Sequence, residues 1–138
     1  MARARILIAG IEESNRRLAA IFADCEAKFV DTIAEAQAEL AAQRYDVVLI
    51  AIRFDESRMF DFLHYLKSHP SLGGLPVICY RSAQRALAAT ELGRLSVELA
   101  ARALGAHDFV DLVSDPDFEQ GNAKMREAVL RAAGTAAC

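Results

Sequence analysis

The chain has no tryptophan, three prolines and three cysteines, and none of its apolar runs approaches the roughly 20 residues that a membrane-spanning helix needs. It also lacks any block of like charge, since its 16 basic and 19 acidic residues are scattered along the sequence. Without a basic stripe to track phosphates or a cluster to anchor on anionic lipid, neither nucleic acid nor membrane insertion is expected. The apolar stretch near the start is too short for a secretory signal and no cleavage site follows it, which points to a cytoplasmic protein. Cys25, Cys79 and Cys138 are odd in number, far apart and without CxxC spacing, so the sequence suggests neither a disulfide framework nor a zinc site. Cys25 and Cys79 sit among apolar residues and read as small buried hydrophobes. Cys138, in an alanine-rich tail, reads as an exposed free thiol.

What is present fits one domain over residues 1–138, with an ordered core from about 5 to 131. Hydrophobic residues make up 54% of the chain, a figure raised by 27 alanines, and the net charge is −3. Short β-like runs alternate with longer helical patterns. Arg5 to Ala9 reads as a strand buried on both faces, and a helix follows from about Ser14 with Leu18, Ile21, Phe22 and Cys25 on one side. Lys28 to Val30 reads as a second strand. Thr32-Ile-Ala-Glu35 has capping-box form and opens a helix to about Gln43. Val47 to Ile52 is the strongest strand signal, and Met59, Phe62, Leu63 and Leu66 mark the helix after it. Pro76 opens a strand through Tyr80, and an Ala/Leu-rich helical region then runs from about Ser82 to Leu104, closed by Gly105. Asp108 to Val113 is the last strand. Asp115-Pro116 caps a final helix carrying Phe118, Met125, Val129 and Leu130, and the tail after Arg131 is expected to fray. Five strands alternating with five helices predict a doubly wound parallel α/β sheet, whose chemistry collects at the carboxyl ends of its strands.

Four segments at those ends resemble the landmarks of bacterial response-regulator receiver domains. They are Ile6-Leu-Ile-Ala-Gly-Ile-Glu-Glu-Ser-Asn-Arg-Arg-Leu18, Tyr45-Asp-Val-Val-Leu-Ile-Ala-Ile52, Leu75-Pro-Val-Ile78 and Gly105-Ala-His-Asp-Phe-Val110. The resemblance spans nearly the whole chain and implies a flavodoxin-like five-stranded sheet of order 2-1-3-4-5 with helices on both faces. It also implies a phosphorylation pocket, and the chain departs from that pocket at each diagnostic position. The family's two Mg²⁺-holding carboxylates match Gly10 and Ile11, and its phosphate-accepting aspartate matches Ala51. Its Thr or Ser on the fourth strand matches Arg81, and its lysine on the fifth matches Leu112, followed by Val113 where a proline is usual. The means of orienting and neutralising a phosphoryl transfer are therefore missing.

Neighbouring residues offer few substitutes. Glu12 and Glu13 lie where a loop enters a helix, and acids there complement the helix dipole. Asp55, in a loop, suits turn or N-cap chemistry. Arg81, with Arg53 nearby, makes the pocket mouth neutral or mildly basic, and a pairing of Arg81 with Glu12, Glu13 or Asp55 would lock it. Ser57 and Ser82 have no evident base among His64, His69 and His107, and Gly73-Gly74 precedes a strand, so neither a triad nor a phosphate loop is present. No enzyme activity, cofactor or metal is expected.

The family's output surface is its fourth helix, fifth strand and fifth helix. Phe109 matches the aromatic that swings with the fourth-strand hydroxyl, and Arg81 breaks that coupling, which leaves Phe109 a core position or part of an interaction face. The segment from Arg81 to Gly105 is longer than the family norm by around two helical turns. It carries one stripe of Leu92, Leu95, Leu99 and Ala103 and a second of Val97, Ala101 and Leu104, where an ordinary surface helix needs one. The second stripe covers either a neighbouring helix or a partner or dimer surface. The reading is a phosphorylation-independent pseudo-receiver that signals by protein–protein interaction. The alternative is an atypical receiver that still responds to phosphate or another anion at Asp55 with Arg81, flanked by Glu12 and Glu13.

Overall fold

A run such as Val47-Val-Leu-Ile-Ala51 offers aliphatic side chains to both faces, which favours a strand with helices packed above and below. A computed structural model of the chain describes residues 3–82, 91–113 and 118–138. Its strands are β1 (Arg5–Ala9), β2 (Glu26–Val30), β3 (Val47–Ala51), β4 (Val77–Arg81) and β5 (Asp108–Asp111). They form one parallel sheet in the order 2-1-3-4-5, the flavodoxin-like arrangement. The helices are α1 (Glu12–Ile21), α2 (Ile33–Ala42), α3 (Met59–Ser68), α4 (Glu91–Ala103) and α5 (Phe118–Ala133). Central β1, β3 and β4 are buried almost throughout, and Leu18, Phe22, Phe62, Leu63, Met125 and Val129 pack on them from the helices.

Local chemistry fixes the helix ends. Thr32 caps α2, its hydroxyl accepting the Glu35 N–H at 3.1 Å. Gly105 takes a left-handed φ of 106° after α4, where its N–H reaches the Arg102 carbonyl and the Ala106 N–H reaches that of Ala101. Gly134 does the same after α5, φ 80°, with Thr135 bonded back to Leu130. Both are Schellman closures, which only glycine adopts without strain.

Several expectations change. The first helix starts at Glu12 rather than Ser14, so both acids lie in its first turn. The second strand starts at Glu26, whose N–H bonds the Ala4 carbonyl at 3.1 Å. The tail does not fray: the helix continues to Ala133, and the closure at Gly134 brings Cys138 back to Cys25. Those two cysteines form a disulfide across a sequence separation of 113, so Cys138 is no free thiol. Spacing could not reveal this, because the two meet only through the packing of α5 along α1. Ser82 itself is not helical, and the expected helical stretch over 83–90 and the expected Asp115-Pro116 cap lie outside the described residues.

One segment has unusual backbone. After β3 a single turn, Phe54–Ser57, holds Asp55, Glu56 and Ser57 at φ of 47°, 57° and 64°. Left-handed conformation costs a non-glycine residue roughly 1–2 kcal/mol. Two anchors hold the turn: the buried Phe54 ring, and the Asp55 carboxylate, which accepts the Ile33 N–H at the start of α2 at 3.0 Å. Exposed Glu56 is no such anchor, so Glu56→Gly is expected to raise stability by about 1 kcal/mol. Asp55→Ala is expected to lower it by a similar amount. The urea midpoints of the two variants check both.

Candidate functional site

The carboxyl end of the sheet gathers Gly10 and Ile11 after β1, Ala51 at the end of β3, Arg81 at the end of β4 and Leu112 just past β5. Ala9 pairs with Ile50 in register, and Ala51 pairs with Tyr80. Gly10, Ala51 and Tyr80 thus stand in one row across three adjacent strands, and in-register side chains of parallel strands share a face. The first two are as small as residues come, and the third fills the space they leave. Tyr80 is fully buried, and its hydroxyl ends 3.0 Å from where a Gly10 Cβ would stand. The Asn15 Oδ1 from α1 lies closer still to that point, and the Ser14 hydroxyl is 3.5 Å from that of Tyr80. Burial pushes the Tyr80 phenol far above its usual range, so it stays protonated.

This row does not fit a hard divalent cation. Gly10, Ile11 and Ala51 offer no side-chain oxygen, and the oxygens that crowd Gly10, from Asn15 and Tyr80, are neutral. Glu12 and Glu13 are exposed on the first turn of α1. The position matched to a phosphate acceptor carries a buried methyl group.

Among the described residues, Arg81 is the charged residue buried here, with a side chain 4% exposed. Its Nε and Nη2 both donate to Asp111 at 2.9 Å, a bidentate pair between residues in direct register on β4 and β5. The expected partners Glu12, Glu13 and Asp55 are not the ones chosen: among the described residues, Asp111 is the carboxylate that Arg81 reaches. The reason is geometric, since a cross-strand neighbour needs no loop to bend toward it. Asp111 is met also by Arg94 of α4, at 3.5 Å. Arg94 binds Glu91 at 2.6 Å and Glu98 at 2.8 Å, and Arg102 joins Glu98 at 3.2 Å to Asp108 at 3.0 Å. A ladder of charges therefore runs from the end of β4 through β5 along one flank of α4.

That ladder runs beside the inner face of α4. Its inner side presents Val97 with buried Gly93 and Ala101, flanked by Arg94 and Glu98, while Leu92 is 76% exposed and Leu99 67%. Leu95 and Leu104 are exposed as well, and Val97 is half-buried against the core. Of the two stripes read from the sequence, the leucine stripe faces solvent and the Val97–Ala101 side faces inward. Phe109 drops out of the interaction face, being 7% exposed in the core.

The displaced anion site does not assemble. Asp55 is committed to the α2 terminus and lies 3.6 Å from Arg58, whereas Arg81 is committed to Asp111. Leu112 is buried, its N–H bonded to the Arg81 carbonyl at 2.9 Å and its carbonyl receiving Arg17 at 3.1 Å. Arg53 is exposed. Tyr80, Asn15 and Asp111 belong to no motif that marks them in the sequence. Asp111 carried a usable signal, because an arginine ending a buried strand requires a carboxylate on the next one. Tyr80 looked like one more core residue.

No protein-family model and no curated protein matches the sequence. Solved structures do match in fold. The phosphorylated cyanobacterial phytochrome response regulator RcpA aligns over 99% of this chain and 98% of its own, with a TM-score of 0.73 and 17% identity. The signal receiver domain of a signal transduction histidine kinase from Syntrophus aciditrophicus aligns over 95% of this chain and 90% of its own, at 0.71 and 20% identity. A response regulator from Hahella chejuensis aligns over 96% of each chain, at 0.71 and 17% identity. The chain thus has the fold that these receiver domains have. No described helix is long and apolar enough to cross a membrane.

If Asn15 and Tyr80 fill the space beside Gly10, adding a methyl group there overpacks it. Gly10→Ala is expected to cost about 1–2 kcal/mol by chemical denaturation. Truncating the neighbour in Gly10→Ala/Asn15→Ala is expected to recover most of that loss, a non-additivity that a double-mutant cycle reads directly.

Proposed function

We propose that the chain is a receiver-like signalling module that works without phosphorylation and acts through protein–protein contact. The observation that carries this reading is the row Gly10, Ala51 and Tyr80. It puts a methyl group at the acceptor position and a neutral, protonated phenol against the glycine at the cation position. The likeness in fold to receiver domains supports a role in signal transduction, in the cytoplasm as read from the sequence. The outward leucines of α4 support recognition of a protein, since contiguous exposed apolar surface is uncommon on monomers and marks contact sites. A second copy of the chain is one occupant this face would suit. Catalysis has no support from the described strand ends, which bring together no nucleophile and base.

The test is to incubate the protein with acetyl phosphate and Mg²⁺, weigh it intact, and follow backbone amide shifts on adding beryllofluoride. The expected outcome is no phosphoryl adduct and no shifts at residues 10, 51 or 81. An adduct abolished by Asp55→Asn would overturn the reading.

A further inference from the structure

We infer that Cys25 and Cys138 form a thiol–disulfide exchange site, opened and closed by low-molecular-weight thiols and disulfides, that clamps segment 134–138 onto the corner between α1 and β2. The pairing is chemically unique. Cys79, the third cysteine, is fully buried in β4, and burial pushes its thiol up to about 12, which leaves it inert at neutral pH. The two partners differ in access: Cys25 is buried at the end of the α1 turn, whereas Cys138 is half-exposed.

That asymmetry orders the chemistry. In closing, the Cys138 thiolate attacks a small disulfide RSSR and expels one RSH. The Cys25 thiolate then attacks the Cys138 sulfur of the mixed disulfide and expels the second. Both cysteine protons leave on the two RSH molecules, and the two electrons lost by the cysteines reduce RSSR. In opening, RS⁻ attacks the accessible Cys138 sulfur and releases Cys25, and a second thiol frees Cys138 and regenerates RSSR.

The surroundings favour a local switch over a permanent staple. Among the described hydrogen bonds, segment 135–138 is tied to the rest by Thr135 N–H to the Leu130 carbonyl at 3.0 Å, and within it the Thr135 hydroxyl donates to the Ala137 carbonyl at 2.8 Å and accepts the Ala137 N–H at 3.4 Å. Cys25 sits at the edge of the core and Cys138 packs against it, while the sheet is paired strand to strand without the bridge. Asp24, beside Cys25, would oppose a thiolate, but Arg126 of α5 holds that carboxylate in a bidentate pair at 2.7 and 2.8 Å and balances its charge. Arg126 also donates to the Ile21 carbonyl at 2.9 Å, so α5 stays docked on α1 when the bridge opens. What changes is a cleft of about 650 Å³ with Arg126, Leu130 and Arg131 on one side and Thr135 and Ala136 on the other. Closure of the clamp builds that cleft, and opening dismantles it.

The 138-residue chain, reduced and freed of reductant, is incubated with oxidised glutathione, then denatured and alkylated. One alkylated thiol is expected, Cys79 by peptide mapping, and intact mass shows the loss of two hydrogen atoms. Millimolar reduced glutathione under native conditions is expected to restore three alkylatable thiols. Opening is expected to lower the Tm by roughly 5–15 °C and to speed amide exchange in 134–138 by a larger factor than in β1, β3 and β4. Cys138→Ser, at the half-exposed position, keeps the fold and abolishes the response. Three alkylatable thiols after oxidised glutathione would overturn the inference, as would a bridge that reduced glutathione opens only after unfolding.

Discussion

The arrangement of this domain depends on one ion pair, between Arg81 at the end of β4 and Asp111 at the end of β5. An arginine with a side chain 4% exposed must be matched by a carboxylate, because the desolvation of a lone charge costs several kcal/mol. Asp111 supplies it from the adjacent register position, and its remaining capacity draws Arg94 inward from α4. Once Arg94 is turned toward the sheet, helical periodicity places Glu98 and Arg102 on the same side. Leu92, Leu95 and Leu99 are then left on the opposite side, in water. The exposed apolar face of α4 is the geometric consequence of a charge buried two elements away.

The other half of the carboxyl end is settled by volume rather than charge. Gly10 and Ala51 leave a trough across β1 and β3, and the Tyr80 ring fills it from β4. The three residues therefore read as one steric solution. A larger side chain at Gly10 would meet the Tyr80 hydroxyl and the Asn15 amide oxygen. Tyr80 and Arg81 are consecutive, and between them they commit the strand end on both sides, one to the trough and the other to β5.

Much of the fold was legible in the sequence. Uninterrupted aliphatic runs located β1, β3 and β4, the capping box located α2, and Gly105 located the end of α4. These signals are local, carried by a few residues and the backbone they favour. Two features were not legible, for a common reason. The Arg81 partner and the Cys25–Cys138 bridge each join residues far apart in the chain, 30 and 113 positions. Either could be recognised only after the sheet register and the path of α5 were known. The orientation of α4 was hidden for a related reason: its two stripes are near equals in apolar content, and the ion ladder decides which of them faces inward. At the strand ends, by contrast, the positions Gly10, Ala51, Arg81 and Leu112 were identifiable from their neighbours, while the roles of Tyr80 and Asn15 required coordinates.

The most direct measurement is amide hydrogen exchange across residues 91–103 in Asp111→Asn, compared with the parent chain. If the charge ladder holds α4 on the sheet, loss of the carboxylate speeds exchange throughout that helix by at least about tenfold more than in β1 and β3, corresponding to ~1.4 kcal/mol of lost local protection. Unaltered protection in 91–103 would contradict it, and would mean that α4 is seated by Val97 and Ala101 alone.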